Sequence, residues 1–142
     1  MTARRTVLAL VALSIALCAG ALASLVLSWD APIGDASWGF RGFGLVNGIG
    51  FTTIGAIVAL RRPSSVIGWL LLASGVLWSI IEAEFEYAVY AVAGRATPLP
   101  GGVLAAWLCS WEWTIVVGVY PVLLVLFPDG RLSTPARRAG AR

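Results

Sequence analysis

Four long apolar runs joined by short polar connections fill most of this chain between Val7 and Phe127, and few charges interrupt them. A soluble domain of 142 residues has too little interior to cover four such segments, so most of their side chains need another apolar environment. With 59 % hydrophobic residues, 12 % charged residues and a mean hydropathy of +0.89, that environment is a bilayer. The run from Val7 to Leu27 carries no charge, and at about 1.5 Å per residue it is long enough to cross a hydrocarbon core of about 30 Å.

The runs predict helices over about 7–28, 43–60, 66–92 and 103–127. The expected fold is all-α, an integral membrane four-helix bundle of two antiparallel hairpins. Residues 1–132 form the membrane domain and 133–142 a short basic cytoplasmic tail. Arg61-Arg62-Pro63 ends the second run, and Pro63-Ser64-Ser65 is tight enough to make the second and third helices a hairpin. Helical character continues past Glu82 through an acidic and aromatic stretch, before Pro98 and Pro100 turn the chain into the fourth run. Pro121 is expected to kink that run near its inner end. The first run has a rival reading as a signal peptide, since Arg4-Arg5, an apolar stretch and Ala21-Leu22-Ala23 fit that pattern. The apolar run continues through Leu25, Val26 and Leu27, which favours an uncleaved span.

The arginines orient the spans. With the amino terminus inside, Arg4, Arg5, Arg61, Arg62, Arg131, Arg137, Arg138 and Arg142 are cytoplasmic, and Arg41 and Arg95 lie outside. Arg4, Arg5, Arg61, Arg62 and Arg131 are then topology anchors, with both termini cytoplasmic in a multi-pass protein of the cell membrane. Trp29 and Trp38 mark the outer interface and Trp69 the inner one. A net charge of +3 placed at span ends is a membrane signal, so no nucleic-acid partner is expected.

Small residues recur every fourth position: Ala12, Ala16, Gly20, Ser24 and Ser28 in the first run, Gly44, Gly48, Thr52 and Ala56 in the second. The third has Gly75, Ser79 and Ala83, and the fourth Gly102, Ala106, Ser110, Thr114 and Gly118. Such stripes let helix backbones approach closely in lipid, so Gly20, Gly44, Gly48 and Gly118 are candidate packing positions. The competing explanation is chance in a chain rich in Ala, Gly and Ser.

Carboxylates inside a span cost on the order of 2 to 3 kcal/mol and must be protonated, paired or wet. Glu82 lies about 24 Å along its helix from Val66, and Glu112 about 14 Å from Val103. Glu82 and Glu86 share a helix face, and Glu84 points the opposite way. Arg41 and Arg95 are the available outer cations, with Tyr87 and Tyr90 as hydrogen-bond donors. Glu112, Glu82, Glu86, Glu84, Tyr87 and Tyr90 therefore form a candidate sensing or ion pocket, open outward between the third and fourth helices. The plainer alternative is a solvated acidic helix end in the headgroup region.

The chain has no histidine, no Walker A lysine, no G-x-S-x-G and no dinucleotide fingerprint, and Cys18 and Cys109 stand alone. Paired carboxylates in lipid, without a substrate groove, do not make a glycosidase. No catalytic residue, metal site or cofactor is expected.

From Arg61 onward the residues carry a resemblance: Arg61-Arg62-Pro63, Ile67-Gly68-Trp69-Leu70-Leu71-Leu72-Ala73, Tyr87-Ala88-Val89-Tyr90-Ala91, Leu99-Pro100-Gly101-Gly102, Trp107, and Phe127-Pro128-Asp129-Gly130-Arg131-Leu132. This region resembles the amino-terminal membrane part of actinobacterial sensor histidine kinases. The resemblance spans Arg61 to Pro135, with the last motif its most specific part; residues 1 to 60 match only as two hydrophobic spans. It implies a sensory input module of a two-component system whose phosphoacceptor and ATP-binding domains lie outside these 142 residues, or a stand-alone relative. Its partners would be the lipid bilayer and, through the membrane helices, a second copy or a sensor kinase. The alternative is a small transporter-like or structural membrane protein whose glutamates handle protons or cations.

Overall fold

The computed structural model describes residues 2–34 and 40–126. Its helices are α1 (Thr2–Leu27), α2 (Phe43–Arg61), α3 (Val66–Ala88) and α4 (Gly102–Leu126), and a π-helical turn, Val89–Ala93, prolongs α3. Among the described residues the fold is all-α, and its four helices are long and apolar enough to cross a membrane. Large apolar side chains such as Leu8, Ile15, Val46, Ile49 and Leu124 point outward, as lipid-facing positions do in a membrane protein. Arg4, Arg5, Arg61 and Arg62 are exposed, whereas Arg131, Trp38, the Phe127–Leu132 motif and the 133–142 tail lie outside the described residues.

Ser65 caps α3 by accepting a hydrogen bond from the Gly68 N–H, so the connection from α2 is one short turn, and the Trp69 indole N–H donates to the Pro63 carbonyl at 2.9 Å. Beyond it, α2 and α3 meet along their whole length on small residues. A Cβ at Gly48 would stand 2.6 Å from Ser79 Oγ, one at Gly55 2.6 Å from Leu72 Cα, and one at Gly75 2.7 Å from Thr52 Cα. As residue numbers rise on α2 they fall on α3, so these two helices run in opposite directions. Gly44, Gly48, Thr52 and Ala56 are all buried in this contact.

The other stripes do not pack as expected. Gly20 and Gly118 are exposed, with open space where a Cβ would go, and Ala12, Ala16, Ala106, Ser110 and Thr114 also face outward. The first helix instead turns Val7, Ser14, Cys18, Ala21 and Leu25 into the groove between α2 and α3. The fourth packs against α3 and its π-helical extension through Gly102, Ala105 and Val116. The bundle is therefore centred on α3, with α1 and α2 on one flank and α4, the least buried helix, on the other. It is less symmetrical than two paired hairpins. The fourth helix continues through Pro121.

A knot of hydroxyls joins three helices mid-span. Ser14 Oγ lies 3.1 Å from Thr52 Oγ1 and 2.7 Å from Ser79 Oγ, the Cys18 thiol donates to Ser79 Oγ, and Ser79 donates to the Gly75 carbonyl at 2.9 Å. Between this knot and the Arg61 end the core is apolar, built on Val7, Ala56, Ala59 and Leu72.

Candidate functional site

The polar side chains gather at the end of the bundle opposite the Arg62–Ser65 turn, where α1 and α3 end and α2 begins. Gly42, at φ 76°, starts α2 and brings Arg41 against the neighbouring helices. Arg41 forms a buried ion pair with Glu86: Nη2 lies 2.5 Å from Oε2, and Nε donates to both carboxylate oxygens at 3.2 Å. Its remaining donors reach Ser28 Oγ at 2.8 Å, the Ser28 carbonyl at 2.9 Å and the Leu25 carbonyl at 3.4 Å. The side chains of Arg41 and Glu86 are 2 % and 0 % exposed. One cation thus ties the carboxyl end of α1 to α3 from a position just ahead of α2, adding a charged donor to the Leu25 and Ser28 carbonyls, which also accept the backbone N–H groups of Ser28 and Ala31.

One turn away, Glu82 is 4 % exposed. Its Oε2 accepts the Gly44 N–H at 2.9 Å, which the absent side chain of Gly44 makes possible. Its Oε1 has no partner. Glu84, on the opposite face of α3, turns toward α4, where its carboxyl meets that of half-buried Glu112 with Cys109 beside them; Glu84 Oε2 is buried and unpartnered.

The six candidate residues therefore fall into three sets rather than one pocket. Glu82 and Glu86 face α1 and α2, while Glu84 and Glu112 face each other. Tyr87 and Tyr90 belong to neither, because their hydroxyls secure the following loop. Tyr87 donates to the Pro100 carbonyl at 2.7 Å, and Tyr90 bonds Arg95, whose guanidinium also lies over the Tyr90 ring at 4.5 Å. Arg95 is accordingly a partner of Tyr90, and Arg41 is the cation that meets a glutamate. The reading of Glu82 and Glu86 as a solvated helix end does not hold, since both are buried.

A cavity of about 680 Å³ opens between α2, α3 and α4, and of the six candidates Glu82 alone lines it. Its wall is aromatic, made by Phe40, Phe43, Phe85, Trp78, Trp113 and Tyr120. Phe43 packs edge-on against Trp78 at 5.7 Å, and the Trp78 indole N–H donates to the Tyr120 hydroxyl at 2.9 Å. Asn47, the other strongly polar lining residue, gives its amide N–H to the Phe43 carbonyl at 2.8 Å, so its side-chain oxygen remains an acceptor. Asn47 stands out in the sequence as an amide within an apolar run; the aromatic wall does not, because Trp and Phe in a span are ordinary.

Chemically, the site can hold charge and accept hydrogen bonds. Among the described residues no three His, Cys, Asp or Glu side chains are grouped to bind a metal. Comparison of the chain with protein-family models, with curated proteins and with solved structures gives no match.

Proposed function

We propose that this chain is the sensory, or input, module of a two-component histidine kinase, or a stand-alone relative that acts through such a kinase. It sits in the cell membrane with both termini in the cytoplasm, passes a conformational signal through its helices and catalyses no reaction itself. The observation that carries this reading is Glu82, a buried carboxyl lining an aromatic cavity, with one oxygen held by Gly44 and the other buried without a partner. A receptor needs such a half-satisfied group at one end of its helices, where occupancy can bias their packing. Positive-inside orientation puts the cavity toward the outer face, and the likeness of residues 61–135 to kinase membrane regions supports the same assignment.

The test is a chimera in which the chain is followed, after Arg142, by the cytoplasmic part of a histidine kinase, with autophosphorylation measured in isolated membranes. Glu82→Gln and Arg41→Gln are expected to shift the phosphorylation level by about two-fold or more, as a change in a two-state population would. An output indifferent to both substitutions contradicts the reading.

A second reading, proton or cation handling, draws on the facing carboxyls of Glu84 and Glu112. Conduction needs a polar path to both faces, and the Val7, Ala56, Ala59 and Leu72 core stands across the way to the Arg61 end. In proteoliposomes the input reading predicts no proton flux above empty vesicles; flux that Glu112→Gln abolishes would establish the transporter instead.

A further inference from the structure

The cavity between α2, α3 and α4 joins a carboxyl to an aromatic wall, with only neutral polar groups beside them among the described lining residues. Its carboxyl among the described lining residues is that of Glu82, a residue 4 % exposed whose Oε1 is buried and without a hydrogen-bond partner. Beside it stand the Asn47 amide, which gives one N–H to the Phe43 carbonyl and keeps its oxygen and second N–H, and the Tyr120 hydroxyl, which accepts from Trp78. Among the described residues no arginine lines the cavity, and Arg41, the nearby cation, is bound to Glu86 and Ser28. An anionic ligand would face a carboxyl whose nearby cation, Arg41, is already paired with Glu86. A lipid acyl chain would leave Oε1 unpaired, a poor exchange for a buried acceptor. The aromatic wall points the same way, since the faces of Trp78, Trp113 and Phe43 attract cations and accept apolar bodies alike.

We propose that this cavity binds an amphipathic cation, with an ammonium head donating to the Glu82 carboxyl and an apolar body lying along the aromatic wall. The size suits it: about 680 Å³ falls within the range of small-molecule sites. Glu82 is already oriented, because Gly44 holds its other carboxyl oxygen, so the ligand completes an arrangement instead of creating one. The input-module reading is needed only for what binding does, not for binding itself.

The probe is dodecylamine, titrated into the full chain in phosphatidylcholine nanodiscs and followed by tryptophan fluorescence, with Trp78 and Trp113 in the wall as reporters. Saturable binding is expected, with 1-dodecanol and the Glu82→Gln variant each weaker by roughly ten-fold or more, and partition into empty discs subtracted. Glu82→Gln keeps an oxygen for the Gly44 N–H. Equal affinity for amine and alcohol, or an amine affinity indifferent to Glu82→Gln, overturns the proposal and leaves a cleft for lipid tails. Should Glu82→Gln not fold, Cys109→Phe fills the cavity while leaving the Gly44 contact intact; loss of amine binding is expected, and retained binding overturns the site. Amine binding that requires Glu82 but leaves chimera phosphorylation unchanged keeps the site and removes the input reading.

Discussion

Arg41 makes the costliest local arrangement in the molecule, a guanidinium and a carboxylate both withdrawn from solvent. Such a pair is sustained by completeness, since every oxygen of Glu86 is used and Arg41 also reaches α1. Breaking one side strands the other, at a cost on the order of 3 kcal/mol or more. Arg41→Met should therefore lower the unfolding midpoint in detergent sharply, whereas Arg41→Met with Glu86→Leu should recover much of the loss; equal destabilisation by single and double variants would contradict the pairing. The hydroxyl knot is milder. Ser14→Ala and Ser79→Ala should each cost about 1 kcal/mol, with a positive coupling in a double-mutant cycle, as hydrogen bonds between membrane helices usually give. At this scale the sequence is informative about charges. Glu82 and Glu86 stand out because ionisable groups in apolar runs need partners, but which of the two outer arginines, Arg41 or Arg95, serves depends on the turn at Gly42, and the pattern of residue types does not encode that choice.

Among the elements, α2 and α3 carry the closest packing. Gly48→Leu and Gly55→Val would force side chains into the α3 backbone and should destabilise by several kcal/mol, in line with overpacking of a close helix contact. Gly20→Leu and Gly118→Leu enter open space and should stay within about 0.5 kcal/mol of the parent. Thermal unfolding of the four variants in one detergent checks the contrast, and a destabilised Gly20→Leu would contradict the placement of α1. The spans themselves, and the α2–α3 turn, are legible from apolar length and the Arg61-Arg62-Pro63 stop. The inward faces of α1 and α4 are not. In a bilayer both the packed and the lipid-facing sides of a helix are apolar, so hydrophobic periodicity no longer marks the buried face. A stripe of small residues marks it where two helices touch closely, as in α2 against α3, and misleads where a helix is packed through Val7, Leu25 or Val116.

For the whole molecule, charge and polarity are divided along the bundle axis. One end carries exposed arginines and an apolar core; the other holds the Arg41–Glu86 pair, the Glu84–Glu112 pair and the cavity with Glu82. The proposed input role requires such a division, with a polar end to receive a signal and no path through the bundle. The cavity itself was only partly foreseeable: a polar site near Glu82 follows from the cost of a buried carboxylate, but its walls come from three helices whose relative placement no local pattern specifies. The central claim, that the polar end faces outward, is tested most directly by cysteine labelling in intact cells. With Cys18 and Cys109 replaced by alanine, a membrane-impermeant maleimide should modify Thr97→Cys in the loop after the π-helical turn and leave Ser64→Cys unmodified until the membrane is permeabilised. Labelling of Ser64→Cys in intact cells with Thr97→Cys protected would reverse the orientation and contradict an outward-facing receptor.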